Sequence, residues 1–134
     1  MHKIMALDIG TKRIGVAMSD FLHVIATGHS VVDRMPENLA IEKIKKNALE
    51  NKVEKIIVGV PLNMDGTQGQ QATDCIEFAA NFQNDFEVIL EDERLTSEQA
   101  EENLRDKKID FKKNKGLVDI ESACIILEQY LSRG

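Results

Sequence analysis

Carboxylates stand at three places in this sequence where folding alone gives them little reason to be. Asp8 continues the apolar run Ile4-Met5-Ala6-Leu7, and a buried carboxylate without a partner or a cation is costly. Asp119 falls in a helical pattern in which positions 119, 123, 126 and 130 share one face. The other three are Ala123, Ile126 and Tyr130, so Asp119 lies on the inward stripe, with Glu121 and Glu128 roughly opposite. Glu91-Asp92-Glu93-Arg94 follows the strand-like segment Phe86–Leu90. Sites in sheets with parallel strands form beyond the carboxyl ends of those strands, although spacing does not choose among these acids. Each position also has a plainer reading. Asp8 could organise a turn with Thr11, Asp119 could cap its helix, and the acidic cluster could be solvated surface.

Taken together, acids from a first strand, a later strand end and the last helix suit hydrolysis of a phosphodiester. That reaction at neutral pH needs an activated water and neutralisation of charge on the scissile phosphate. Two divalent ions about 3.5–4 Å apart supply both, and hard ions such as Mg²⁺ or Mn²⁺ are held by carboxylate oxygens from several segments. His2, His23 and His29 match no motif and are not expected to act as general bases.

The elements that must position these acids can be read from periodicity. The run through Leu7 is apolar on both faces, as in a central strand. After the turn Gly10-Thr11-Lys12, a second strand spans Arg13–Ser19. Ile14, Val16 and Met18 point one way, while Gly15, Ala17 and Ser19 present a small-residue face that lets something pack closely. Val24–Val32 is expected as a third strand, completing an antiparallel meander. Ala40, Ile41, Ile44 and Ala48 then mark an amphipathic helix with Pro36 near its first turn. Lys55–Val60 is a buried strand, Pro61–Gly69 a polar loop, and Ala72, Cys75, Ile76 and Ala79 a second helix. Phe86–Leu90 is a fifth strand, Thr96 with Gln99 opens a third helix by capping-box spacing, and the last helix spans about Leu117–Leu131. The order β-β-β-α-β-α-β-α-α predicts an α/β fold, a five-stranded mixed sheet flanked by helices, in one domain over residues 1–134.

The two cysteines, Cys75 and Cys124, sit in helical patterns on apolar faces, which suits packed thiols in a reducing compartment. The N-terminal run is too short and too charged for a signal peptide, and no stretch reaches the roughly 20 apolar residues of a membrane span. A cytoplasmic protein is expected. A net charge of −6 argues mildly against a nucleic-acid partner, but the charge is unevenly spread. Residues 85–102 carry eight acids and one base, and residues 105–116 carry six bases and two acids. Both could be solvated helix faces. The separation also fits a cation-collecting pocket beside a phosphate-gripping loop.

Four segments in order resemble the YqgF/RuvX family, described both as Holliday junction resolvases and as nucleases of precursor 16S rRNA. They are Leu7-Asp8-Ile9-Gly10-Thr11-Lys12-Arg13-Ile14-Gly15, Val58-Gly59-Val60-Pro61-Leu62-Asn63-Met64-Asp65-Gly66-Thr67, Asp92-Glu93-Arg94-Leu95-Thr96-Ser97, and the helix start Val118-Asp119. Each is weak alone; four in sequence are specific. The resemblance implies an RNase H-like fold, singles out Glu93 from its cluster, and makes Asp8, Glu93 and Asp119 the catalytic and metal-holding acids. It further implies a role at the 5′ end of small-subunit ribosomal RNA, with the small subunit itself as a possible partner and a monomer or homodimer as the working form. One departure is Glu121-Ser122-Ala123, where the family follows the helix aspartate with an apolar residue and two alanines. Glu121 could be an additional outer acid.

Candidate substrate contacts are Lys12, Arg13 and Arg94 beside the acids, Asn63, Asp65 and Gly66 in the loop after the fourth strand, and Lys112, Lys113 and Lys115 in the basic stretch. Asp65-Gly66 is also a plain turn signal, and each cation could simply pair with a neighbouring carboxylate. One tyrosine and five phenylalanines leave little for base stacking. Three other functions remain open. A nuclease for branched DNA would share the acids but work as a two-fold dimer. Asp8-Ile9-Gly10-Thr11 resembles the first phosphate loop of sugar kinases and actin-like ATPases, which need two such domains where this chain has length for one. A non-catalytic RNA or ribosome factor would tolerate Asp8→Asn. If the basic stretch grips phosphates, replacing Lys112, Lys113 and Lys115 with Gln makes the salt dependence of nucleic-acid binding shallower, by about 0.7–0.9 for each phosphate no longer gripped. An unchanged slope would mark the stretch as a solvated face.

Overall fold

In the computed structural model, residues 1–63, 65–93, 102, 103, 106 and 114–133 are described. Five strands form one mixed sheet: β1 (Lys3–Ile9), β2 (Arg13–Ser19), β3 (Ala26–Asp33), β4 (Val53–Val60) and β5 (Glu87–Asp92), in spatial order β3-β2-β1-β4-β5. β1, β2 and β3 are the expected antiparallel meander, and β4 and β5 run parallel to β1. The carboxyl ends of β1, β4 and β5 therefore lie along one edge. Helices α1 (Glu37–Glu50) and α2 (Gln70–Ala79) are followed by a single 3₁₀ turn at Ala80–Phe82, and α3 (Lys115–Ser132) closes the chain. No described helix is long and apolar enough to cross a membrane.

The strand alternation sorts residues between two cores. Met5, Leu7 and Ile9 of β1 join Ile14, Val16 and Met18 of β2 against Ala40, Ile44 and Ala48 of α1 and Cys75, Phe78 and Ala79 of α2. Ile4, Ala6, Ala17 and Ile57 face the other way, under Ala123, Cys124, Ile126 and Leu127 of α3. β1 is thus buried on both faces, as its unbroken apolar run requires. Both cysteines are buried, and neither forms a disulfide.

Several boundaries differ from expectation, among them the start of β4 at Val53 rather than Lys55 and of α3 at Lys115 rather than Leu117, and two strands show the local reason. β3 begins at Ala26 rather than Val24, because Asp20 Oδ1 accepts the backbone N–H groups of Val24 and Ile25 at 2.7 and 3.0 Å. That turn takes both N–H groups out of the ladder. β5 runs Glu87–Asp92 rather than Phe86–Leu90, since Glu91 and Asp92 still pair with Gly59 and Val60. The helix start expected at Thr96, with its capping box, lies outside the described residues; Glu102, Asn103 and Asp106 further on are helical.

The departure at the start of α3 has a visible consequence. Ser122 is buried, and its Oγ finds no hydrogen-bond partner among the described residues. A buried hydroxyl without a partner costs about 1–3 kcal/mol of desolvation. Ser122→Ala is therefore expected to stabilise the protein by about 1 kcal/mol in chemical denaturation. A loss of stability would show that the hydroxyl is bonded.

Candidate active site

Asp8 lies one residue from the end of β1, on the face covered by α3. Its register neighbour on β2 is Gly15, and since Leu7 pairs with Val58 on β4, the next β4 residue on that side is Gly59. β5 lies beyond β4, two strand spacings or about 9.5 Å from β1. Glu93 crosses that gap. It leaves the end of β5 with its N–H on Val60 O at 3.2 Å and folds its side chain back over Gly59. A Cβ at position 59 would stand 2.7 Å from Glu93 Oε2 and 2.5 Å from Ile126 Cδ1. Glycine is required here so that a carboxylate and α3 can both lie on the strand.

Gly15 does the same for the third acid. A Cβ there would lie 2.0 Å from the backbone oxygen of Asp119, so the second turn of α3 rests directly on β2 beside Asp8. This is what the small-residue face of β2 accommodates. Asn114, not Asp119, occupies the N-cap position of α3, so the capping explanation for Asp119 does not hold.

The electrostatics of the three acids differ. Burial, then the Asp119 charge, pushes Asp8 up to about 6, against a lowering hydrogen bond from Glu93. Glu93 is pushed up to about 9 by burial first and then by the charge of Asp8. The contact between the two carboxyl groups lowers Asp8 and raises Glu93 further. Asp119 instead accepts from Arg13 Nε at 2.7 Å. Arg13 is thus found paired with a carboxylate. Within the acidic cluster, Glu91 is buried and paired with Arg133, just past the end of α3, whereas Glu93 is the acid turned toward Asp8.

Asp8 and Glu93 bring two buried carboxyl groups together, over a floor that a single Cβ would fill. This oxygen-only donor set fits a hard divalent ion. Among the described residues no three acidic, histidine or cysteine side chains are already gathered round one point. The pairing of Asp119 with Arg13 accounts for that. Asp8, Glu93 and, after a turn of its side chain, Asp119 are the residues that could hold the ion.

Lys12 and Thr11 are exposed on the β1–β2 turn. The loop after β4 is closed on itself. Asp65 Oδ1 accepts from Thr67 N at 2.9 Å and Thr67 Oγ1 at 2.7 Å, Asn63 Nδ2 donates to Thr67 Oγ1 at 3.0 Å, and Gly66 N donates to Asn63 O at 2.8 Å. Asp65 and Asn63 therefore shape the turn. Lys115 is exposed at the start of α3, and Glu121 accepts from Asn103 Nδ2 at 3.1 Å. Arg94, Lys112 and Lys113 lie outside the described residues.

Sequence reasoning missed Arg34. Only 7% exposed, it donates to both oxygens of Asp74 at 2.9 and 3.0 Å and to Gly10 O at 3.0 Å, while its own N–H donates to Lys12 O at 2.9 Å. Its guanidinium also lies over the Phe78 ring, 4.6 Å from the centroid. Arg34 thereby fixes the turn that carries Lys12 and Arg13.

The model of the RuvX family, described as Holliday junction resolvase, matches residues 2–133. The chain belongs to the RuvX family. It is 41% identical to a relative from Gloeothece citriformis (96% of this chain, 87% of that one) and 40% identical to one from Syntrophomonas wolfei (98% and 95%). Both are named as candidate pre-16S rRNA nucleases. The fold matches the Fowlpox virus resolvase solved with Holliday junction DNA at a TM-score of 0.62 and 15% identity, over 98% of this chain and 97% of that one. It also matches T. thermophilus RuvC solved with its junction substrate at 0.52 and 14%, over 99% and 96%. This RuvX protein is accordingly a nuclease with an RNase H-like fold, a class that works with divalent metal ions.

The raised pair sets a pH dependence. An acid whose folded pKa lies above its unfolded value binds more protons folded than unfolded, so stability falls as pH rises between the two. For Asp8 and Glu93 that window opens near their ordinary values of 3.8 and 4.5 and closes at about 6 and 9. Metal-free protein is therefore expected to melt lower at pH 8.5 than at pH 5, and Asp8→Asn should flatten the difference. Equal pH profiles for the two proteins would show that the two carboxyl groups do not interact.

Proposed function

We propose that this nuclease holds two divalent ions, Mg²⁺ or Mn²⁺, on Asp8, Glu93 and Asp119, and that it cuts precursor 16S ribosomal RNA during maturation of the 5′ end. The observation that carries the reading is the Glu93 carboxyl group folded over Gly59 toward Asp8, with Asp119 set beside them by Gly15. Family membership supplies the reaction class, and the names of the relatives point to the RNA. The chain acts as one cytoplasmic domain, with the ribosomal small subunit as its setting.

Divalent ions bound there supply an activated water and neutralise charge on the scissile phosphate. The protein's own part is positioning. β1 and β5 aim Asp8 and Glu93 from fixed backbone. α3 roofs the acids and limits water. Lys12 and Arg13 stand at the open side for the nucleic-acid backbone, with Arg94, Lys112, Lys113 and Lys115 completing the grip. Asn63, Asp65 and Gly66 form a turn closed by its own hydrogen bonds, a preformed surface for the nucleic-acid backbone.

A second reading, cleavage of branched DNA, is favoured by the family's description as a resolvase. Labelled precursor rRNA and a four-way DNA junction, tested side by side with Mg²⁺, Mn²⁺ and chelator, separate the two. RNA cleavage that stops in chelator is expected. Preferential cutting of the junction by a solution dimer would transfer the assignment to DNA, and undiminished cleavage in chelator would remove the metal.

Asp119→Asn separates catalysis from folding. The change keeps the shape and removes one of three mutually repelling charges, while weakening the Arg13 ion pair, which is worth about 0–1 kcal/mol at such exposure. Metal-free stability should therefore change by no more than about 1 kcal/mol, while single-turnover cleavage drops on the order of 100-fold. A well-folded mutant that cuts at the wild-type rate would take Asp119 out of the site.

A further inference from the structure

We propose that Arg13 gates the metal site, holding Asp119 in the metal-free protein and passing to a substrate phosphate when a divalent ion claims that carboxylate. The inference rests on the metal-nuclease reading above and adds a coupling between metal and substrate.

Three observations lead to it. First, the Asp119 backbone cannot shift toward β2, because its carbonyl oxygen already sits where a Gly15 Cβ would be, at 2.0 Å. Only its side chain can turn. Second, Arg13 and Gly15 are alternate residues of β2 and so share a face. The Arg13 side chain rises there beside Asp119 and holds one of its oxygens at 2.7 Å. Third, the two side chains are 32% and 19% exposed, so the pair is wet enough to open, whereas the turn beneath Arg13 is fastened through Gly10 and Lys12 to Arg34. The mobile part is the arginine side chain, swinging from a fixed Cα.

The charges give the swing its direction. Asp8 already feels the negative charge of Asp119, so a divalent ion between them offers Asp119 a stronger partner than one guanidinium. That ion and Arg13 repel each other. A phosphodiester brought to the open side of the site gives the displaced guanidinium two oxygens in the geometry it binds best. Metal then frees Arg13 for substrate, and substrate draws Arg13 away from the metal's ligand. By linkage each tightens the other.

The experiment is Mn²⁺ titration of metal-free protein, read by electron paramagnetic resonance of free Mn²⁺, with and without a phosphorothioate RNA oligonucleotide that resists cleavage. Without oligonucleotide, Arg13→Gln should bind Mn²⁺ about threefold to tenfold more tightly than wild type. Lys12→Gln removes a charge from the same turn without touching Asp119 and should change affinity less than about twofold. Oligonucleotide should tighten Mn²⁺ binding in wild type and leave Arg13→Gln unmoved. Arg13→Lys, which keeps the charge but not the planar fork, should fall between, and serves if the glutamine variant unfolds. Equal gains for Arg13→Gln and Lys12→Gln, or coupling that survives in Arg13→Gln, would overturn the gate while leaving the metal nuclease intact. Wild type that binds no Mn²⁺ at all would bring down both.

Discussion

Carboxylates gathered on one face of a sheet repel one another, and the arrangement around Asp8, Glu93 and Asp119 is organised by that repulsion. Two unit charges about 4 Å apart at an effective dielectric near 20 interact by about 4 kcal/mol before screening. The fold relieves this in two different ways. Burial beside Asp8 raises Glu93, which favours its neutral form. Asp119 keeps its charge and takes an arginine. A proton leaves whenever a cation arrives and needs no room to go. An arginine has to be put somewhere. The two halves of the site are therefore unequal: the Asp8–Glu93 side is ready for an ion, and the Asp119 side is conditional.

Bringing the acids so close is a problem of backbone geometry before it is one of charge. β1 and β5 are separated by β4, too far for carboxylates standing straight up from their own strands to meet. The gap closes because Gly59 offers no side chain beneath Glu93, and α3 descends onto β2 because Gly15 offers none beneath Asp119. Glycine within a strand weakens it. Here both glycines lie in strands covered on two faces, where packing of Ile14, Val16, Ile57 and Val58 offsets the weakening. A small-residue face on a strand is thus a functional feature. It marks where a helix carrying a reactive group can approach.

Much of this was legible in the sequence wherever local periodicity controls the outcome. The two-residue alternation of β2 gave both its core face and its landing face, and the unbroken run of β1 gave its central position. The helical stripe through Ala123 and Ile126 placed Asp119 inward. What periodicity cannot carry is a side-chain hydrogen bond that competes with the ladder, which is why Asp20 moved the start of β3. Nor can it carry partnerships between distant residues. Glu91 and Glu93 share a residue type and a face, and only Arg133, far along the chain, tells them apart. Arg13 meets Asp119 across 106 residues, and Arg34 reaches Asp74 across 40. Such pairs are set by topology, so their members look like ordinary surface charge until the sheet order is known.

Arg34 shows why these long-range pairs matter to chemistry. A turn between antiparallel strands is ordinarily among the more mobile parts of a fold. This one is held from below by a buried guanidinium that binds Gly10 O, Asp74 of α2 and the face of Phe78, while the Arg34 N–H holds Lys12 O. Asp74 carries the compensating charge, so the arginine is not left unpaired in the core. The result divides labour between two arginines at the same turn. Arg34 surrenders its freedom to make the backbone rigid, and Arg13, standing on that backbone, keeps side-chain freedom with its origin fixed. A reactive group that must exchange one partner for another works best in this way, because the exchange costs a few rotamers rather than the reordering of a loop.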